Sequence, residues 1–136
     1  MAKVERFDDL KVWQAARVVT ADVYALTRKK PFARDFGLRD QIQRTAVSVM
    51  SNIGEGFESR TRGVFINLLG RAKGSAGDVR CQLYVAPVLE YIEKNQFDEI
   101  LSKAEAISCQ LHGFMKYLET LPNDSQIRED NVPCDR

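Results

Sequence analysis

The sequence predicts an all-α fold, an antiparallel up-down-up-down four-helix bundle, on three observations. Four segments repeat apolar residues at steps of three and four, the period of a helix with one buried face. Their connections are short, which makes consecutive helices antiparallel neighbours. No segment alternates apolar and polar residues as a half-buried strand does. The bundle is expected over residues 1–121, with helices at about 8–29, 37–58, 61–91 and 96–121, and residues 122–136 as a polar tail that frays.

The first helix follows from Val12, Ala16, Val19, Val23 and Leu26, with Trp13 and Tyr24 alongside. Asp8 or Asp9 can cap its start, with Phe7 placed for a hydrophobic staple. The run Arg28-Lys29-Lys30 suits the negative end of its dipole, and Pro31 stops it. The second helix runs from Gly37 through Leu38, Ile42, Ala46, Val49 and Ile53, and carries a further apolar line, Val47, Met50, Gly54 and Phe57. A helix apolar on two faces needs cover from two sides, which predicts self-assembly. The third carries Phe65, Leu68, Ala72, Ala76, Val79 and Leu83. Pro87 has no amide hydrogen to bond back to Leu83, so a bend or ending falls nearby. The fourth starts at a capping Asn95 and follows Phe97, Leu101, Ala104, Ser108, Leu111, Met115 and Leu118, with Ile100, Ile107, Phe114 and Leu121 as a second line and Pro122 as its end.

The stretch Asn52-Ile53-Gly54-Glu55-Gly56-Phe57 raises the possibility of a phosphate-binding turn. A dinucleotide turn needs a third glycine and a preceding strand, so that backbone amides face a pyrophosphate at a helix start. Here Ser59 takes the third position and the preceding sequence is helical. The two glycines read instead as small positions that admit a neighbouring helix. Gly70, Gly74 and Gly77 fall in one stripe with Cys81 on the third helix. Each costs about 0.8–1 kcal/mol against alanine. Close packing is the reading that compensates for this; local flexibility is the alternative.

Length and composition fit one ordinary domain that buries its own core: 136 residues, 44% hydrophobic and 29% charged. No run of eighteen apolar residues spans a membrane, and the first residues lack the apolar stretch of a signal peptide. Cys81, Cys109 and Cys134 show no metal or redox spacing and read as reduced thiols of a cytoplasmic protein. The net charge of +1 hides an asymmetry. Residues 1–80 hold 15 Lys and Arg against 9 Asp and Glu, and residues 81–136 hold 5 against 10. The basic half either forms one positive face or is ordinary solvated helix surface.

Catalytic chemistry has little to use. His112 is the sole histidine, and the Glu-x-x-His pairs of a di-metal bundle are missing. No catalytic residue, metal or cofactor is expected. Asn52 and Glu55 are polar on a mostly apolar helix, so partners are required. Trp13, Gln14 and Arg44 are the candidates for a structural hydrogen-bond network with them, a ligand site being the alternative. Phosphate contacts are available from Arg28, Lys29 and Lys30, from Arg39 and Arg44, from Arg60 and Arg62, and from Arg71 and Lys73. Aromatics do not interleave with these residues, so backbone contact is favoured over base stacking.

Several blocks together also resemble a known family. Phe7-Asp8-Asp9-Leu10-Lys11-Val12-Trp13-Gln14-Ala15-Ala16 is similar to its F-x-x-L-x-V-W-Q-x-A opening. Val23-Tyr24-Ala25-Leu26-Thr27, Gly37-Leu38 with Gln41, Ala46-Val47-Ser48-Val49, Asn52-Ile53-Gly54-Glu55-Gly56, Phe65, Gly74-Ser75 and Gln82-Leu83 continue it. The family is that of four-helix-bundle proteins encoded in 23S rRNA intervening sequences, related to the accessory proteins of diversity-generating retroelements. The likeness covers about residues 7–121. Gly54 replaces an alanine of the family pattern, Met50 a frequent proline, Arg80 a usual glutamate and Glu90 a frequent glycine. The resemblance implies a homo-oligomer, commonly a pentamer, and a partner such as structured RNA or a reverse-transcriptase complex. An oligomer that binds proteins and no nucleic acid is the rival reading.

Overall fold

The computed structural model describes residues 4–122, 125–129 and 132. Their regular structure is entirely helical: α1 Lys11–Thr27, α2 Phe36–Glu58, α3 Arg62–Leu83, a single turn α4 Val85–Val88, and α5 Lys94–Thr120. Short 3-10 turns at Phe7–Asp9 and Phe32–Arg34 precede α1 and α2. The four long helices form a cycle in which α1 packs on α2 and α5, and α3 packs on α2 and α5.

Side-chain pairs fix how neighbours run. Thr20 Oγ1 donates to the Ala46 carbonyl at 3.2 Å and Gln43 Nε2 to Thr27 Oγ1 at 2.9 Å, so α1 ascends as α2 descends. Ser48 meets Ser75 at 3.0 Å and Gln82 Nε2 donates to Thr45 Oγ1 at 3.2 Å, which sets α3 against α2 in the same sense. Phe65 rests on Phe114 and Tyr84 on Phe97, with ring centroids 5.5 and 5.1 Å apart, so α5 opposes α3.

The core contains Val12, Ala16, Val19, Val23 and Leu26 of α1 and Ile42, Ala46, Val49 and Ile53 of α2, the residues that the helical period marks. On α5 both lines contribute: Ala104, Ser108, Leu111 and Leu118 of the first and Ile100, Ile107 and Phe114 of the second are buried, whereas Phe97, Leu101, Met115 and Leu121 are only partly covered. The second apolar line of α2 is served mostly within the chain. Phe57 is buried, and Gly54 and Gly56 lie under neighbouring side chains, leaving Val47 as its exposed member at 38%. The excess apolar face inferred from sequence is therefore largely intramolecular.

Gly54 and Gly56 belong to a packed helix. A Cβ on Gly54 would meet the Phe7 ring at 3.5 Å, an ordinary contact. On Gly56 it would stand 2.9 Å from Phe65 Cδ1 and 3.1 Å from Leu68 Cβ, closer than packed carbons allow. The α3 stripe behaves differently. Gly70 faces Met115 at 3.4 Å, but nothing lies within 4 Å of a Cβ on Gly74, so the bundle itself supplies no close neighbour there.

Element ends depart from the sequence reading in instructive ways. Asp9 does not cap α1. Its carboxylate accepts from the Glu5 and Arg6 amides at 3.1 and 3.0 Å and closes the 3-10 turn instead. The N-terminus of α1 is satisfied by Glu129, which accepts from the Val12 amide at 2.9 Å and from the Lys11 amide. Residues 125–129 and 132 of the expected tail thus include a cap; Ile127 and Val132 also pack on the core, and the Arg128 amide donates to Tyr117 Oη at 3.0 Å. The rest of the expected tail lies outside the described residues, apart from Pro122.

Helix α2 is capped by Asp35, whose Oδ1 accepts from the Leu38 amide at 3.2 Å. Its Oδ2 accepts from Tyr91 Oη at 3.0 Å, a bond that raises the Tyr91 pKa above its ordinary value. The third helix is shorter than expected: it ends at Leu83, ahead of Pro87, and α4 follows as one turn. Glu90 then takes φ 61°, a left-handed conformation that favours glycine. Helix α5 begins at Lys94, so Asn95 lies within the first turn, where its Oδ1 accepts from the Gln96 amide at 2.9 Å. Cys81 is a free thiol, while Cys109 is disulfide-bonded, contrary to the expectation of three reduced cysteines; positions in sequence do not reveal which thiols the fold brings into bonding range.

Two outcomes are expected from denaturant titrations. Gly56→Ala incurs an overpacking cost of about 1–3 kcal/mol against about 1 kcal/mol of recovered helix propensity, so its midpoint should fall. Glu90→Gly relieves left-handed strain of about 1 kcal/mol, and its midpoint should rise. A third outcome concerns the cap: Glu129→Ala should lose about 0.5–2 kcal/mol, with faster hydrogen exchange at the Lys11 and Val12 amides.

Candidate nucleic-acid interface

The nine basic residues singled out by sequence do not form one patch. Arg28, Lys29 and Lys30 are exposed where α1 ends, and Lys29 borders a hollow that also contains Asp22 and Glu99. Arg60 and Arg62 stand at the α2–α3 turn, the opposite end of the bundle. At 1.5 Å per residue the 23-residue α2 separates these ends by roughly 35 Å. Arg44 and Arg71 are exposed on α2 and α3, and Lys73 is half-buried; none of the three has a partner among the described residues.

Three of the nine are already engaged by the fold. Arg62 donates to the carbonyls of Leu121 and Pro122, the latter at 2.8 Å, and so satisfies backbone acceptors just beyond the end of α5. Arg39 donates to Asp40 at 2.9 Å and to the Ala33 carbonyl at 3.1 Å, with its guanidinium 4.8 Å from the centre of the Phe36 ring. Arg60 lies over Phe57 at 5.2 Å and adopts φ 58°, the left-handed residue that closes α2. Arg28, Lys29, Lys30, Arg44 and Arg71 are left as exposed cations without a partner among the described residues.

The polar network has different members from those expected. Asn52 Nδ2 donates to the Ser48 carbonyl at 2.8 Å and to Ser48 Oγ at 3.0 Å, and Ser48 Oγ joins Ser75 Oγ across the α2–α3 seam. Trp13 and Gln14 take no part. Trp13 lies edge-on to Phe7, and Gln14 Nε2 donates to the Asp8 carbonyl at 2.8 Å. Glu55 and Arg44 are exposed and have no partner among the described residues. The sequence carried a signal for the missed pair, since Ser48 and Ser75 both sit in quoted motif blocks; their meeting depends on the register of α3, which no single helix encodes.

One end of the bundle leaves apolar surface uncovered. Phe36 is 63% exposed and Val88 78%, with Tyr84, Val85 and Leu89 beside Val88 in the chain. At the α1–α5 seam, Lys103 Nζ donates to Asp22 at 2.9 Å, and this bond raises the lysine pKa. Among the described residues no group of three or more His, Cys, Asp and Glu could hold a metal ion, and no helix is long and apolar enough to cross a membrane.

The sequence matches the model of the 23S rRNA-intervening sequence protein family over residues 8–113. The chain belongs to this family. A family match of that extent runs from the Phe7–Asp9 turn to the last third of α5, so it takes in all four long helices. A solved structure with the same fold is a protein of unknown function from the S23 ribosomal protein family of Bacteroides thetaiotaomicron. It is 24% identical, with a TM-score of 0.71 over 77% of this chain and 98% of that one. No curated protein matches the sequence. Within the family pattern, the N-I-G-E-G block now has a geometry: Asn52 ties α2 to α3 through Ser48, and Gly56 admits Phe65 and Leu68.

A double-mutant cycle on Ser48→Ala and Ser75→Ala should return a coupling of about 0.5–1.5 kcal/mol. Glu55→Ala, an exposed position without a partner, should change stability by no more than about 0.5 kcal/mol. Urea titrations of the four proteins of the cycle and of Glu55→Ala provide the check.

Proposed function

We propose that this protein is a non-catalytic helical scaffold that works as a homo-oligomer, a ring of five copies, in association with structured RNA in the cytoplasm. The observation that carries the assembly is the uncovered apolar end formed by Phe36, Tyr84, Val85, Val88 and Leu89. Val88, at 78% exposure, has no role in the bundle's own core, and exposed apolar groups of this kind mark contact surfaces. Support for RNA comes from the family description, 23S rRNA-intervening sequence protein, and from Arg28, Lys29, Lys30, Arg44 and Arg71, exposed cations without a partner among the described residues. Repetition around a ring would bring scattered cations into a band, which a single copy lacks. Phosphate contact through such a band gives affinity with little sequence reading.

A second reading, an oligomer that binds proteins alone, draws on the dispersal of the basic residues over both ends of the bundle. Two measurements separate the readings. Light scattering should give five times the 15.4 kDa protomer, about 77 kDa; a monomer would remove the scaffold reading. A structured RNA should bind with an affinity that falls linearly on a logarithmic plot against salt. Assembly without RNA binding, even at low salt, would leave the protein-binding reading.

A further inference from the structure

A groove runs along the outer side of α2 against the start of α1. Phe7, Trp13, Met50 and Gly54 form its apolar wall, and Ser51, Glu55 and Glu58 its polar edge, around a hollow of about 490 Å³. Neither carboxylate has a hydrogen-bond or ion-pair partner among the described residues. Their position is unfavourable for the helix itself. Both stand in the last turns of α2, where the macrodipole disfavours negative charge. They are three residues apart on one face, where like charges repel, and the last turn holds no basic residue. Nothing among the described residues compensates for that arrangement.

The aromatic wall favours the same kind of guest. Trp13 is held by Phe7, at 5.2 Å between ring centroids, and the guanidinium of Arg17 lies 5.2 Å from its ring centre. One side of the indole therefore already accepts a guanidinium, and Arg17 has no carboxylate partner among the described residues. We infer that the Phe7–Trp13–Glu55–Glu58 groove is a docking site for an arginine-bearing segment of a partner protein. The arginine stem would lie along Met50 and Gly54, and its guanidinium would meet the two carboxylates. Arginine suits the site better than lysine because its planar fork spans two acceptors, stacks on aromatic rings and is more weakly hydrated. The carboxylates repel phosphate, so this groove is distinct from any RNA-binding surface.

Trp13 is the sole tryptophan of the chain, so its fluorescence reports on the groove directly. The intact protein is titrated with a hexa-arginine peptide at low salt, with hexa-lysine and hexa-glutamate in parallel. Saturable quenching or shift by hexa-arginine is expected, several-fold weaker with hexa-lysine and absent with hexa-glutamate. In the Glu55→Gln/Glu58→Gln variant the affinity should fall tenfold or more while the melting temperature holds or rises, since a local repulsion is removed. Trp13→Phe, followed by calorimetry, should weaken binding and leave the helical circular dichroism unchanged. No saturable signal with hexa-arginine, or equal binding by the Glu55→Gln/Glu58→Gln variant, would overturn the inference. A drop in oligomer mass on adding the peptide would also overturn it, by assigning the groove to contact between copies.

Discussion

The close approach of α2 to the elements on either side of it is the constraint on which the rest of the bundle depends. At Gly54 the Phe7 ring and the edge of Trp13 come down on the helix. At Gly56, less than one turn later, Phe65 and Leu68 come in from α3. Two glycines at consecutive even positions point to different sides, so one helix is narrowed toward two partners at once. Each carries the helix-propensity cost of glycine, and the compensation is packing on both flanks. Register follows from the same contact. With Phe65 and Leu68 set against Gly56, Ser75 arrives beside Ser48 and Gln82 beside Thr45.

Much of this was legible from sequence because the helical period is a local property. The a/d-like lines of α1, α2 and α3 describe which residues are buried, and all of those residues but Leu38, which is partly covered, are buried. The ends were less legible. Asp9 is a good capping residue placed near a helix start, but Leu10 lies between its turn and α1, and its carboxylate closes the tighter turn first. The true cap, Glu129, comes from a segment that looks like polar tail, and no local pattern links it to Lys11. Pro87 marks the break, yet α3 ends before reaching it, at Leu83 four residues back, whose carbonyl a proline cannot serve, and Pro87 itself falls within the single turn α4.

The candidate sites follow the same division. Residue types were readable; spatial companionship was not. Sequence placed Asn52 and Glu55 in one network because they are three apart, but the helix carries Asn52 to the α3 seam and Glu55 out to solvent. The basic residues looked like one group in the first half of the chain. Folding distributes them over both ends, because α1 ends where α2 begins and α3 begins some 35 Å away at the far end of α2. Charge asymmetry along a chain becomes a patch only when topology returns the charged segments to one place.

The bond between Glu129 and the amides of Lys11 and Val12 joins positions 118 and 117 residues apart. A helix start that depends on a residue so much later in the chain cannot be finished while that residue is still inside the ribosome. The nascent chain can assemble its central hairpin early, but the first helix keeps exposed amide groups until Glu129 has emerged. Truncating the carboxy-terminal segment would therefore act at a distance, loosening the beginning of the molecule and not only its end.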